Sequence, residues 1–184
     1  MSNVHSYVEQ LLKKNNITKP PIDVYAIAKN LNLIVIPRPY TAKNKLAAML
    51  IREGRKVIIA INSDHDKQKQ RFSVAHEIGH FLLHPGEKLF IDREFSVNFR
   101  DSKASIGKHI QEIEANRFAG KLLIPERFLI EDLHAYHMDE VEDNHKISRE
   151  LAKKYNVSIF TMNIRINSLL DELKEYSGIQ NSDQ

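Results

Sequence analysis

The sequence predicts an α+β fold: a small antiparallel sheet beside two long helices, with a helical pair at the C-terminal end. Three observations carry this. Several segments place apolar residues at helical spacing, most densely over Arg71 to His84 and His109 to Ile124. Between residues 33 and 61, three short β-branched or alternating runs are punctuated by Pro37 and Gly54. Near the end, two helical patterns flank the short turn Asn156-Val157-Ser158.

Taken in order, Val4, Val8, Leu11 and Leu12 give a first helix over Val4 to Asn15, and Pro20-Pro21 interrupts the chain. Asp23 caps a short second helix that buries Val24, Ile27, Ala28 and Leu31. The strands are Leu33 to Ile36, stopping at Pro37, Leu46 to Ile51, and Val57 to Ile61. Arg52-Glu53-Gly54-Arg55 reads as a hairpin turn between the last two. The Arg71 to His84 helix ends at Pro85-Gly86, and Glu87 to Lys108 reads as a long irregular polar loop. The His109 to Ile124 helix stops at Pro125, and Glu126 to Tyr136 resumes as a short helix. Two further helices run over Ile147 to Tyr155 and Ser158 to Leu173, the latter capped by Ser158. The acidic stretch Met138 to Asn144 marks a boundary. The expected organisation is a main domain over 1–138, a helical unit packed on it over 139–176, and a disordered tail over 177–184.

Composition narrows the function classes. At 184 residues with 42% hydrophobic content, the chain supports one core. No apolar run approaches the ~20 residues a membrane span needs, and the first residues lack a signal-peptide core. A cytoplasmic protein is expected, with no membrane partner. With no cysteine, thiol catalysis, redox sensing and thiolate-bound zinc are excluded. A metal must sit on His, Asp or Glu. A net charge of +3 is too small to argue for nucleic acid.

The chemistry concentrates in His76-Glu77-Ile78-Gly79-His80. Residues four apart share a helix face, so His76 and His80 aim at one point. This is the HExxH arrangement: two zinc ligands, with Glu77 as general base toward a metal-bound water that attacks a peptide carbonyl. The competing reading is a surface helix with two unrelated histidines among nine. It is weakened by Phe72, Ala75, Gly79 and Leu83, joined by Val74, Ile78, Phe81 and Leu82 around much of the cylinder. A helix that apolar is buried, and burying two histidines and a glutamate without a purpose is costly. Gly79 costs roughly 1 kcal/mol against alanine in a helix, and its missing side chain would admit a neighbouring element near the metal.

Catalytic zinc takes a third protein ligand and keeps one position open. On the next helix Glu112, Ala115, Asn116, Ala119 and Leu123 share a face of small and apolar residues. Glu112 is therefore expected inside as third ligand. Glu114, the alternative, is expected outside, paired with a lysine or arginine. Asn116, one turn on, is placed to hydrogen-bond the second nitrogen of a ligand histidine.

RFSVAHEIGHFLLHPGE followed by EIEANRFAGKLLIP resembles the ImmA/IrrE family of zinc-dependent peptidases. PPIDVYAIAKNLNLIVI and ISRELAKKYNVSIFTMNIRINSLL resemble that family's flanking segments, so the likeness runs from about Pro20 to Leu170. It implies a zincin-like, thermolysin-like core with Zn2+ on His76, His80 and Glu112 and with Glu77 as base. It also implies an intracellular endopeptidase that cuts a helix-turn-helix repressor, often encoded alongside, and relieves repression of mobile elements or stress genes. The alternative is a non-catalytic regulatory or antitoxin-like module that keeps a zinc site. One departure from the family is Gly120, where alanine or a larger residue is common and glycine would loosen the helix.

Other residues are weighed and set aside. His84 lies one turn beyond His80, where the helix ends, and is read as structural. His109, His134, His137, Tyr136 and Arg117 are candidates to stabilise an oxyanion, and spacing selects none. Lys69 and Arg71 are read as solvated. The C-terminal pair has a helix-turn-helix outline. Its second helix offers only Thr161, Asn163, Arg165 and Asn167 to base edges, amid much apolar surface. Direct DNA binding is therefore not expected; packing on the core or docking of a repressor is.

Overall fold

The structure is a computed structural model and describes residues 3–39, 46–86, 89–93, 103–136 and 144–180. Helix α1 (Asn3–Lys14) buries Val4, Val8, Leu11 and Leu12 as one stripe. Helix α2 (Val24–Asn30) starts where the Asp23 carboxylate accepts from the backbone N–H groups of Tyr25 and Ala26 at 3.1 and 3.0 Å. Asn32, at φ 59°, then turns the chain into β1 (Leu33–Arg38); asparagine visits this left-handed region more readily than most residues.

Strands β2 (Leu46–Glu53) and β3 (Lys56–Asn62) form a hairpin. Its two-residue turn has Gly54 at φ 58° in the first central position, where glycine carries no Cβ penalty. The fold class is α+β, but the expected antiparallel sheet is corrected to a mixed one. Four strands run in the order β1-β3-β2-β4, and β1 pairs with β3 in parallel. The expectation let consecutive strands be neighbours. Instead β1 skips a place, and the strand it meets runs in its own direction. Pro37 does not end β1, because β1 is an edge strand and a missing backbone donor is tolerated at an edge. The apolar run of β3 suits its central position.

The fourth strand corrects the expected loop over Glu87 to Lys108. Leu89–Arg93 forms β4 on the free side of β2, with Phe90 opposite Leu50. Helix α4 begins at Lys103, and residues 87, 88 and 94–102 of the expected loop lie outside the described residues. The reading as loop averaged a short apolar run with its polar surroundings.

Helix α3 (Lys67–Leu83) is capped by the Asp66 carboxylate, which accepts from Lys69 N at 2.8 Å. It packs over the face of the sheet where Ala48 lies opposite Ile61 and Leu50 opposite Ile59, all four buried. Helix α4 (Lys103–Leu123) lies against α3, and α5 (Glu126–Ala135) follows Pro125.

Helices α6 (Asn144–Tyr155) and α7 (Ile159–Gln180) are joined at Asn156, φ 53°, and Ser158, whose Oγ accepts from Thr161 N at 3.0 Å. Leu151, Ala152, Tyr155, Val157, Met162 and Leu169 belong to the same hydrophobic cluster as Val74, Ile78 and Phe118. Arg71, read as solvated, donates from Nε to Asn156 O at 3.2 Å and ties α3 to this turn. Arg165, read as available to a base edge, is buried, and its Nε donates to Ile124 O at 3.3 Å. The expected end of the last helix at Leu173 is corrected: α7 continues to Gln180. Asp171 to Tyr176 contains good helix formers and no breaker. Residues 181–184 and most of the expected boundary at Met138 to Asn144 lie outside the described residues.

Candidate metal centre

Burial around the HExxH stretch comes from both sides of α3. Val74, Ala75 and Ile78 join the core, and His76, Glu77 and His80 are themselves buried. Gly79 sets the distance to α4. A Cβ there would meet Ala115 Cα at 3.2 Å and Phe118 Cδ1 at 3.1 Å. The close approach expected at Gly79 is present, and the element that approaches is α4.

That approach puts Glu112 beside the two histidines. Nε2 of His76 and Nε2 of His80 lie 2.9 Å apart. Glu112 Oε2 is 3.2 Å from the first, and Glu112 Oε1 is 3.3 Å from the second. These are the three residues, among those described, whose donor atoms converge closely enough to hold a metal ion. The histidines are enclosed and the Glu112 side chain is 37% exposed, so the cluster opens on the Glu112 side.

The outer nitrogens decide whether a cation fits. Asn116 Oδ1, an acceptor, lies 3.0 Å from His76 Nδ1, so Nδ1–H of His76 donates to it and Nε2 keeps its lone pair. His84 Nε2 lies 3.0 Å from Glu114 Oε2, so its N–H donates to that carboxylate. With one proton per ring, His84 Nδ1 must accept. Its neighbour at 3.1 Å is His80 Nδ1, which therefore donates and leaves Nε2 of His80 as an acceptor. Two lone pairs and a carboxylate thus face one another within 3.3 Å. A cation among them turns that repulsion into binding.

The electrostatics express the same competition. Burial alone would raise the Glu112 pKa, but the facing imidazoles of His76 and His80 lower it to about 2 wherever they can offer a proton. Burial lowers the His80 pKa against the pull of Glu112. A neutral His80 that donates to His84 has no proton left for Glu112. The rings cannot serve both sides, and a metal ion on the Nε2 side removes the conflict.

Two readings change here. Glu114 lies apart from the cluster as expected, but its partner is His84, not a lysine or arginine. His84 is more than the end of a helix, since its ring joins His80 to Glu114. Sequence reasoning also passed over Arg52, which it placed in a turn. Arg52 lies in β2, and its Nη2 donates to Phe81 O at 3.2 Å and His84 O at 3.4 Å, with the guanidinium over the Phe81 ring. It secures the end of α3 that carries His84. A signal for it was present: an arginine two strand positions from the turn, on the strand the helix must cover.

The oxyanion candidates scatter. His109 is exposed on α4, and His134 is exposed on α5. The Tyr136 hydroxyl donates to Glu150 Oε2 at 2.9 Å. Arg117 lines a cleft beyond Asn116, and His137 lies outside the described residues. Among the described residues, no helix is long and apolar enough to cross a membrane.

Residues 28–167 match the family described as IrrE N-terminal-like domain, peptidase M78. The match runs from α2 into α7 and includes His76, Glu77, His80, Glu112 and Asn116. Uncharacterized immunity region protein 2 of Bacillus phage phi105 is 26% identical over 156 residues, covering 84% of this chain and 90% of that protein. Phage-like element PBSX protein XkdA of Bacillus subtilis (strain 168) is 24% identical over 132 residues, covering 71% of this chain and 58% of that protein.

Proposed function

We propose that this chain, which belongs to the IrrE N-terminal-like domain (peptidase M78) family, is a zinc-dependent endopeptidase that cuts a helix-turn-helix transcriptional repressor at a specific bond. The observation that carries the reading is the convergence of His76, His80 and Glu112 on one point, with Glu77 buried on the same helix. The fold reading is a zincin-like core over 1–138, with a helix-turn-helix-like unit over 139–176 packed on it. Support for a repressor as substrate comes from the relatives, one named for a phage immunity region and the other for a phage-like element. A repressor acts on DNA, so this reading carries a cytoplasmic location with it.

In this reading His76, His80 and Glu112 hold the ion, and Asn116 fixes the tautomer of His76 through Nδ1. Zinc, when bound there, supplies Lewis-acid polarisation and water of lowered pKa. Glu77 takes the proton as the water oxygen attacks the carbonyl carbon. It then returns that proton to the leaving nitrogen as the C–N bond breaks. Burial of Glu77 keeps bulk water from competing for the proton.

The test joins elemental analysis to cleavage. Wild type, Glu77→Gln and Glu112→Gln are purified without added metal and assayed for zinc. Each is then incubated with a candidate phage-type helix-turn-helix repressor, and products are read by intact mass. Wild type should hold near-stoichiometric zinc and release two fragments from one cut. Glu77→Gln should keep zinc and leave the repressor whole, and Glu112→Gln should lose zinc. Unchanged repressor control by Glu77→Gln would favour the non-catalytic module over the enzyme.

A further inference from the structure

The metal cluster occupies only part of the seam between α3 and α4. Toward the start of α3, Lys69 and Phe72 precede His76 at helical spacing. On α4, Asn116 and Gly120 follow Glu112 at one and two turns. There the seam widens into a cleft of about 510 Å³, walled on its far side by the first half of α7. Ligand pockets span ~300–1,000 Å³.

Its floor is bare. A Cβ at Gly120 would meet nothing within 4 Å. Its far wall is apolar and open to solvent, with Phe160 74% and Ile164 54% exposed one turn apart on α7. Phe72 faces the cleft from α3. Lys69, Arg117, Lys121 and Arg165 line it, against Asp66 as the carboxylate among the lining residues. Glu126 and Glu172 answer Lys121, and Glu126 answers Arg165. Arg117 brings a guanidinium to the end of the cleft nearest Asn116.

We propose that this cleft holds the substrate segment beside the cut bond. One large apolar side chain would lie over Gly120, between Phe72 and the Phe160–Ile164 wall, with an acidic neighbour against Arg117. The occupant is argued from adjacency: Asn116 both lines the cleft and accepts from Nδ1 of His76, so the cleft and the metal cluster share that residue. Its identity as substrate rests on the peptidase reading. One helical turn separates Phe72 from His76, about 6 Å of rise. An extended chain advances ~3.3 Å per residue, so the apolar residue lies about two positions from the cut.

The test uses the full-length, zinc-loaded, nitrogen-15-labelled protein and capped octapeptides carrying Leu-Asp, Leu-Lys, Ala-Asp or Ala-Lys at the centre. Amide shifts report binding, and mass spectrometry of the same samples reports cleavage. Leu-Asp peptides should shift Arg117, Gly120, Phe160 and Ile164 and bind about ten-fold tighter than Ala-Lys peptides. Gly120→Leu, whose Cβ starts in open space and whose side chain would occupy the cleft, should abolish that binding without lowering the melting temperature. Arg117→Glu should reverse the preference for Asp over Lys. Absence of shifts at these amides, or equal binding by Gly120→Leu, overturns the proposal. Peptides bound here but left intact would uphold the cleft and leave the peptidase reading to the repressor cleavage test. Cleavage without these shifts would uphold the peptidase and sink the cleft.

Discussion

His84 Nδ1 lies 3.1 Å from His80 Nδ1, while His84 Nε2 lies 3.0 Å from Glu114. The outer nitrogen of one candidate ligand is thus held by a second histidine and, through it, by a carboxylate on the neighbouring helix. The other candidate ligand has the shorter support of Asn116.

His84→Ala should weaken zinc binding about 10–100-fold, the usual cost of losing a partner that orients a metal-bound histidine. The substitution leaves a buried N–H of His80 without its acceptor. Glu114→Gln should cost less, because the amide oxygen can still accept from His84. Competition with a chromogenic chelator measures both without reference to cleavage. Equal affinities for wild type and His84→Ala would show that His84 does not position His80.

The two glycines of the α3–α4 seam should respond oppositely to alanine. At Gly79 the added methyl meets the backbone of Ala115 and the ring of Phe118 at 3.1–3.2 Å. Overpacking costs about 1–3 kcal/mol against a helix-propensity gain of about 1 kcal/mol. Gly79→Ala should therefore lower stability, and should loosen zinc by moving Glu112 from the histidines. Gly120→Ala meets open space and should gain about 0.5–1 kcal/mol. Urea denaturation of both variants decides the matter. A stabilised Gly79→Ala would mean that the seam yields more readily than its distances suggest.

What was legible in the sequence was what one helix decides alone. The i, i+4 geometry fixed His76 and His80, and the apolar face of α4 selected Glu112 and Asn116. Links between elements were not legible. The His84–Glu114 contact depends on the relative height of α3 and α4, which Gly79 and Phe118 set. The parallel pairing of β1 with β3 depends on strand order, which carries no local signature. Arg52 caps α3 only because the sheet lies beneath it. Gly120 was read as a loosened helix, and its role as a cleft floor required α7 opposite it.

The last prediction concerns acid. Partial burial would raise the Glu172 pKa, but Lys121 Nζ donates to its Oε2 at 2.9 Å and, with Arg165, holds it below the ordinary carboxylate value. A carboxyl depressed in the folded state stabilises the fold above its unfolded pKa, about 4.3 for glutamate. That contribution fades as pH falls through the lower, folded value. Glu172 is partly exposed, and the buried Lys121 keeps Glu126 at 3.6 Å as a second carboxylate, so the contact contributes about 1 kcal/mol. Glu172→Gln should therefore lose about that much stability at neutral pH and nothing at strongly acid pH. It should also flatten the acid limb of the stability curve. Urea midpoints from pH 3 to pH 7 read this directly. Parallel curves for wild type and variant across that range would show that the Lys121–Glu172 contact, which joins α4 to α7, adds nothing to the stability of the fold.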